Sequence, residues 1–384
     1  MYCDRLLLPW FERLREDVAG VDVFDAHTHV GLHDPSGFNA TVQELTAALE
    51  LIDSRALVFP LREPSGYDKA NARVVEWAED SDGRLAALAR IDPDDDPAEK
   101  AQRWIERGAV GLKLHTSSDG FELSDGRLDD VFAFASENNL PVMCHTGTGR
   151  GGDAASDDAV RRAADHPGAR LILAHAAIDG QAWLWQALPD LPNVFVDTSW
   201  WGPASILSLM AMVPPGRVLY ASDVPYASPA QGAIVTLRCA LQTGYDHDQV
   251  RSLMGGQLQR LVDREEPLDV GPPPGGVEPA HPLLERIYAV LLTVVEAMMR
   301  GADPGQNLRF AHLACEVPDD FPDHEVYKSI DHLIDTARSV DEPDALRPLR
   351  TPGFDLLLVA ALLARTPTAP VPALERLGAA AARR

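Results

Sequence analysis

The sequence predicts an α/β fold, a (β/α)8 TIM barrel with a C-terminal α-helical appendage. Two observations predict it. Short apolar runs alternate with longer charged segments in which apolar residues recur at helical intervals, as in parallel βαβ units. The chain also has 384 residues, enough for a barrel of about 250 residues and a further helical region. The runs predicted to be strands are 21–30, 56–61, 85–91, 110–115, 141–145, 171–175, 194–198 and 218–222.

The chain divides into three predicted regions. Residues 1–266 contain all of these runs and are assigned to the barrel. Residues 267–282 are rich in proline and glycine, which interrupt helices and strands, and are assigned to a linker. Residues 283–384 are predicted to form a small α-helical domain and a tail, since 283–299 and 326–340 have amphipathic spacing. The last twenty residues are expected to be a loose tail.

Composition limits the partners and the location. The net charge of −24 repels nucleic acid and anionic membranes, so neither is an expected partner. Four scattered cysteines without a CxxC pair predict no disulfide framework and suit a reducing cytoplasm. The N-terminal segment is charged, unlike a signal peptide, and the apolar run 354–363 is shorter than the roughly 20 residues that span a bilayer. We expect a small-molecule substrate, and the apolar helical region leaves a homodimer open.

Metal-type side chains end four of the predicted strands. His27 and His29 close the first run, and since strand side chains alternate, both point to the same side. The fifth, sixth and eighth runs end at His145, His175 and Asp223. Because the C-terminal strand ends meet at one mouth and buried polar groups need partners, this set predicts a divalent metal cofactor. Imidazoles with a carboxylate suit Zn²⁺ best, with Mn²⁺ and Fe²⁺ as alternatives.

Lys113 and His115 lie on one face of the fourth predicted strand, in the segment GLKLHTS. An ammonium group is a poor metal ligand, and three interpretations of Lys113 stay open. Lys113 could bind a substrate carboxylate, which we favour, with His115 beside it. Lys113 could instead be carboxylated by CO₂ and bridge two metal ions. As a third alternative, it could be a buried cation that holds a neighbouring carboxylate.

The loops at the same mouth supply further candidates for substrate binding. Residues 147–152, GTGRGG, match the G-x-G-x-x-G pattern of dinucleotide-binding folds. That pattern expects an acidic residue after the next strand, but this strand ends in His175, so a flexible loop is favoured. In this loop, Arg150 is predicted to meet a substrate anion. Trp200 and Trp201, after the seventh run, are predicted to wall the pocket of a planar substrate.

These segments together resemble the amidohydrolase superfamily. Within it they are most similar to the amidohydrolase-related branch, which includes aminocarboxymuconate-semialdehyde decarboxylase and resorcylate decarboxylase. The resemblance is carried by FDAHTHVG (24–31), GLKLHTS (111–117), PVMCHTG (141–147), LILAHA (171–176), NVFVDTS (193–199) and YASDVP (220–225). It covers residues 21–263 and does not extend to the C-terminal region.

The resemblance implies roles for the site residues. A single divalent metal ion would be held by His27, His29, His145 and Asp223. His175 would orient or polarise the water molecule on that metal. If Lys113 were carboxylated, His145 and His175 would instead hold a second metal ion.

The expected function is that of a metal-dependent hydrolase that cleaves a small amide, lactone or other ester with an activated water. Asp223 would accept the water proton and deliver it to the leaving group, and His175 would stabilise the developing negative charge. Two alternatives stay open. One is non-oxidative decarboxylation of a small carboxylic acid, including an aromatic one. The other is a catalytically silent binding barrel, which the intact ligand set disfavours.

Overall fold

Eight parallel strands, hydrogen-bonded in chain order, form the predicted (β/α)8 barrel in this computed structural model, which confirms the expected fold. The structure describes residues 4–147, 152–177, 184, 186–199, 202–340, 353–373 and 377. The strands are β1 (Val23–Val30), β2 (Ser54–Pro60), β3 (Leu85–Arg90), β4 (Gly111–Leu114), β5 (Pro141–His145), β6 (Arg170–Ala174), β7 (Val194–Asp197) and β8 (Val218–Leu219).

Helices connect the strands and surround the barrel. They are α1 (Asp4–Asp17), α2 (Val42–Glu50), α3 (Asp68–Glu79), α4 (Pro97–Glu106), α5 (Thr116–Asp119), α6 (Asp129–Glu137), α7 (Gly152–Asp165), α8 (Pro203–Met212), α9 (Pro229–Thr243), α10 (His247–Arg251), α11 (Gln257–Val262), α12 (Pro282–Met299), α13 (Gly305–Ala314), α14 (His324–Ser339) and α15 (Phe354–Arg365). A π-helical turn, Ser252–Gly256, joins α10 to α11. Among the described helices, none has both the length and the apolar composition needed to cross a membrane.

The barrel closes between β1 and the segment that follows β8. The amide of Asp223 donates to the His27 carbonyl at 2.9 Å, and the His29 amide donates to the Val224 carbonyl at 2.8 Å. The register of β1 against β2 shifts between Asp25 and Thr28, which marks a bulge. The seam therefore joins the backbone of the HxH segment directly to that of Asp223.

Apolar side chains fill the interior of the barrel below its mouth. The inward positions of successive strands are occupied by Phe24, Leu57, Phe59, Leu88, Met143, Ile172, Phe195 and Leu219, and α11 adds Leu258 and Leu261. All of these side chains are buried. Polar groups buried in this apolar core would lack hydrogen-bond partners. The polar strand ends therefore lie at the C-terminal mouth.

Helix α9 lies behind the eighth strand, and its ends follow the usual signals. Ser228 is the N-cap residue, and its hydroxyl accepts a hydrogen bond from the Gln231 amide at 3.1 Å. Pro229 occupies the first turn, where its missing N–H costs nothing. The helix ends at Gly244, whose φ of +86° is left-handed and suits glycine.

The C-terminal helices pack against the barrel and against one another. Helix α15 contacts α8, α9, α12 and α14, and nearly all of its side chains are buried. Residues 265–281, between the barrel and α12, contain no helix or strand. The division of the chain into separate barrel and helical domains stays a prediction.

Part of the expected loose tail is held in place by Arg238 of α9. This fully buried guanidinium donates to the carbonyls of Thr366 at 2.6 Å, Ala369 at 3.2 Å and Pro370 at 2.8 Å. It also donates to the Thr366 hydroxyl at 2.8 Å. Thr366 and Ala369 are themselves buried. Among the tail residues that the structure describes, this stretch is therefore packed rather than loose.

We predict that Arg238→Met lowers the free energy of unfolding by about 3 kcal/mol, because three carbonyls, two of them in buried residues, lose their donor. Urea unfolding followed by circular dichroism measures the change. The matched control is Arg300→Met, since Arg300 is exposed and makes one ion pair with Glu296 at 3.4 Å. Its expected effect is under about 1 kcal/mol. Equal losses in the two variants would contradict the prediction.

We also predict that Cys239 resists alkylation in the folded protein. Cys239 is a free, buried thiol, and burial raises its pKa to about 12. Because the thiolate is the nucleophile, reaction with iodoacetamide should be about a thousandfold slower than for an ordinary thiol. Peptide mapping by mass spectrometry should find Cys239 modified only after urea is added, and modification of the native protein would refute this.

Candidate metal centre

Three predicted ligands converge at the seam of the barrel. The Nε2 atoms of His27 and His29 are 3.1 Å apart. The Oδ1 atom of Asp223 lies 3.0 Å from His29 Nε2 and 3.1 Å from His27 Nε2. All three side chains are buried. The structure thus brings together a pair from β1 and a carboxylate from beyond β8, with ligand atoms close enough together to contact one ion.

An unusual backbone conformation and a buried carboxyl group hold the segments that carry this trio. Asp223 has a φ of +62°, in the left-handed region that non-glycine residues seldom occupy. Asp25, just before the HxH segment, accepts hydrogen bonds through Oδ1 from the amides of His27 at 3.0 Å and Ser222 at 2.9 Å. Burial raises the pKa of Asp25 to about 7. This carboxyl therefore bridges the two segments that carry the trio.

Asp197, at the end of β7, joins two of the predicted imidazoles, although the sequence analysis gave it no role. Its Oδ2 accepts from His27 Nδ1 at 2.8 Å. Its Oδ1 accepts from the His175 amide at 2.9 Å and from the Ser199 hydroxyl at 2.6 Å. The available signal was the segment NVFVDTS, in which an aspartate ends an inward-facing strand in the same way as the histidines.

His175 lies beside this carboxylate. Its Nδ1 is 2.9 Å from the Ser199 hydroxyl, and its φ is +64°. Since the Ser199 hydroxyl gives its only proton to Asp197, it accepts from Nδ1 of His175. The Nε2 atom of His175 then carries the lone pair. Burial lowers the pKa of His175 to about 4, so the ring is neutral.

His145 and His115 lie next to His175 rather than in the trio. The His115 and His145 rings are parallel, with centroids 4.0 Å apart, and the His145 ring meets that of His175 edge-on at 4.9 Å. Among the described residues, the buried ligand sets within 4.8 Å are His27–His29–Asp223 and His27–His175–Asp197. His145, a predicted ligand, belongs to neither set.

Gly147 makes room for these rings. A Cβ atom at Gly147 would lie 2.9 Å from Cδ2 of His175 and 3.3 Å from Nε2 of His145. The first distance is shorter than carbon–carbon contacts allow, so a larger residue would displace the imidazoles. This close approach explains why a glycine follows the His145 strand end.

Lys113 is fully buried inside the barrel mouth. Its Nζ atom lies 4.7 Å from the centroid of the Phe59 ring and has no hydrogen-bond partner among the described residues. Burial lowers the pKa of Lys113 to about 8, although Asp197 and Asp223 partly oppose this shift. An ammonium group without a partner in this position is suited to an anionic ligand.

The remaining imidazoles are also neutral. Burial is the main reason that the pKa values of His27, His29, His115 and His145 lie well below the usual value, and the neighbouring cationic groups add to it. Neutral imidazoles expose the lone pair that a metal ion needs. The site is therefore ready for a cation without the release of protons from its histidines.

The trio fits a cation on chemical grounds. Because Nδ1 of His27 faces a carboxylate, it carries the ring proton, and Nε2 is then an acceptor. This acceptor faces Oδ1 of Asp223, another acceptor, at 3.1 Å. Two acceptors at this distance repel each other unless a positive centre lies between them. Metal–ligand bonds of about 2.1 Å imply a similar spacing between ligand atoms.

Aromatic side chains that the sequence analysis did not assign surround the trio. The Phe59 ring meets His29 edge-on at 4.5 Å, and the Tyr226 ring does so at 5.5 Å. Phe38 lies 4.4 Å from Tyr226. These rings line one side of the trio. The predicted substrate-binding residues that lie outside the described residues are Arg150, Trp200 and Trp201.

Solved structures resemble this barrel at low sequence identity. A crystal structure of an amidohydrolase II is 19% identical with a TM-score of 0.50, over 63% of this chain and 100% of the other. An uncharacterized TIM-barrel protein from Bordetella bronchiseptica is 14% identical with a TM-score of 0.54, over 64% and 99%. The 5-carboxyvanillate decarboxylase of Novosphingobium aromaticivorans, with bound manganese, is 14% identical with a TM-score of 0.49, over 64% and 97%. The first two similarities show the fold alone.

Sequence comparison identifies the family. No curated protein matches the chain. A sequence model of the amidohydrolase family matches residues 24–256, which span β1 to the π-helical turn after α10. This range contains every predicted site residue and more than half of the 384 residues. The resemblance seen in the sequence is confirmed, and the chain belongs to the amidohydrolase family.

Proposed function

We propose that this protein is a metal-dependent hydrolase that cleaves a small amide, lactone or other ester with water. One observation carries the proposal: His27, His29 and Asp223 present three ligand atoms about 3 Å apart at the mouth of the barrel. Neutral, buried imidazoles with a carboxylate suit Zn²⁺, and Mn²⁺ or Fe²⁺ are alternatives. His145 stays the predicted fourth ligand.

The reacting groups divide the work of hydrolysis between them. A divalent cation, when bound, supplies a Lewis acid that polarises the substrate carbonyl and acidifies water. Asp223 accepts the proton of the attacking water and delivers it to the leaving nitrogen or oxygen as the carbon–heteroatom bond breaks. Asp197 orients the His27 ring through Nδ1.

His175 has a role that its hydrogen bonds define. Because Nδ1 donates to Ser199, the neutral ring offers a lone pair at Nε2. We therefore assign His175 to orienting the attacking water as an acceptor. Of the two roles expected for His175 from the sequence, this assignment keeps the orienting of water. It does not include the direct stabilisation of negative charge, which needs a donor at that nitrogen.

Lys113 supports a substrate that carries an anionic group. Its buried ammonium has no hydrogen-bond partner among the described residues, and a carboxylate on the substrate would provide one. His115 lies at the same strand end. Carboxylation of Lys113 is the alternative, and in that arrangement His145 and His175 would hold a second metal ion.

Decarboxylation is the second candidate reaction, and the same buried cation favours it. Lys113 could bind the carboxylate that is lost, and Asp223 would then protonate the carbon that keeps the electron pair. A silent binding barrel is a third alternative. A cytoplasmic location stays a prediction supported by the free thiols of Cys144, Cys239 and Cys315. A homodimer and the absence of nucleic-acid or membrane partners stay predictions as well.

We predict that the double variant His27→Ala/His29→Ala loses its metal. Two of the three convergent ligands are removed, so metal content measured by inductively coupled plasma mass spectrometry should fall from near-stoichiometric to background. The control is His247→Ala, because His247 is exposed at the start of α10. A wild-type protein without divalent metal, even after loading with Zn²⁺, would contradict the proposed function.

We predict that the metal-loaded protein incorporates solvent oxygen into its product. Small lactones, amides and carboxylic acids are incubated in ¹⁸O-labelled water, and the products are analysed by mass spectrometry. Hydrolysis places ¹⁸O in the acid product. Release of CO₂ without such labelling would instead establish the decarboxylase. If the metal-loaded protein gives neither ¹⁸O-labelled product nor CO₂, and is as inactive as His27→Ala/His29→Ala, the binding barrel is favoured.

A further inference from the structure

We propose that the buried ion pair between Arg90 and Asp119 positions His145 for the metal centre. Arg90 ends β3, Asp119 ends α5 after β4, and His145 ends β5. The inference rests on the proposed metal-dependent function. It adds a positioning device to the site, because neither Arg90 nor Asp119 is among the proposed ligands.

The pair is well formed and almost fully excluded from water. Arg90 Nε donates to Asp119 Oδ2 at 3.0 Å, and Nη2 donates to Asp119 Oδ1 at 2.9 Å. Nη2 also donates to the Ser118 hydroxyl, and Nη1 donates to the Pro60 carbonyl at 3.2 Å. The Arg90 side chain is 1% exposed, and that of Asp119 is 7% exposed. This geometry is the bidentate one, which fixes orientation as well as distance.

Two neighbours hold the pair in one place. The Asn71 side chain donates to the Arg90 carbonyl and accepts from the Arg90 amide, both at 2.9 Å. The Tyr67 ring lies 4.6 Å below the Arg90 guanidinium, and its hydroxyl donates to Asp119 Oδ1 at 2.6 Å. Arg90 therefore has a fixed backbone and a fixed side chain. Arg90 and Tyr67 together hold the Asp119 carboxylate.

Asp119 belongs to a short turn that contacts His145 in two ways. The turn begins at His115, whose ring stacks on the His145 ring at 4.0 Å with 14° between the planes. Thr116, the next residue, donates from its hydroxyl to the His145 carbonyl at 3.2 Å. The Asp119 amide closes the turn on the His115 carbonyl at 3.1 Å. Fixing Asp119 thus fixes both the ring and the backbone contact of His145.

A purely stabilising role is a weaker explanation of this pair. Burying an ion pair costs desolvation energy, and an apolar pair of similar size is often as stable. The Arg90 guanidinium instead holds the end of a turn that begins at His115, and His115 stacks on the predicted ligand His145. Outer contacts of this kind typically change metal affinity about 10- to 100-fold when they are removed.

The test uses Co²⁺ alone, with the full-length protein, and records its visible absorption and dissociation constant. In Arg90→Met and Asp119→Asn, Co²⁺ binding should weaken about 10- to 100-fold and the visible band should shift. Asp119→Glu, which keeps the charge, should recover most of the wild-type band. Circular dichroism verifies that each variant is folded.

Two controls separate positioning from stability. Arg162→Met removes another buried arginine, which donates to Asp129 at 2.6 Å and to the Leu123 carbonyl at 2.8 Å. This variant should be less stable but should keep the wild-type Co²⁺ band. In a His145→Ala background, Asp119→Asn should cause no further change, because the residue through which it acts is gone.

If Arg90→Met does not fold, Asp119→Asn and Thr116→Val decide the question, since both nearly preserve side-chain shape. Wild-type Co²⁺ spectra and affinity in these two folded variants would overturn the inference while the proposed function stands. Absence of Co²⁺ binding by the wild-type protein would instead overturn the metal-dependent function, and the positioning role with it.

Discussion

The joint between the first and last strands is the constraint on which the rest of the structure depends. A parallel barrel closes only if the register of its final pair is satisfied, and here that pair consists of β1 and the segment after β8. The amides of Asp223 and His29 supply the closing hydrogen bonds, so the residues that complete the barrel are also those that form the trio. Asp25 strengthens the same joint from below. The hydrogen bonds that close the barrel therefore also bring the trio together.

Burial then decides the chemistry at the mouth. Five histidines follow one another as neighbouring rings, with centroids 4.0 to 5.2 Å apart, and burial favours their neutral forms. Each carboxylate nearby is used more than once. The Asp197 carboxylate accepts hydrogen bonds from the His27 ring and from the backbone amide of His175. The Asp223 carboxylate contacts both rings of the HxH pair. The result is a group of nitrogen and oxygen lone pairs around the buried ammonium of Lys113, next to an apolar core.

The barrel could be predicted from the sequence because its signals are local. Apolar runs of strand length and amphipathic segments identify every strand, and an inward side chain at a strand end must face the mouth. Asp197 was missed because an aspartate before Thr–Ser also suits a turn, and only its partners distinguish the two. The left-handed backbone at Asp223 and His175 has no signal in residue type. The contact of Arg90 with Asp119 crosses 29 positions and depends on how two loops meet.

The clamp that Arg238 makes on the C-terminal segment has a consequence for the site itself. Helix α9, which carries Arg238, touches the seam from outside: Gly232 packs on Ser222, and Thr236 shares a hydrogen bond with Thr198. Helix α15 packs against α9 as well. A chain that ended before the linker would lose this contact and the Arg238 clamp, and with them part of the support for the helix that packs on Ser222. The C-terminal helices therefore support the trio from outside the barrel, and their loss should loosen the positions of His27, His29 and Asp223 although the deletion changes none of these residues.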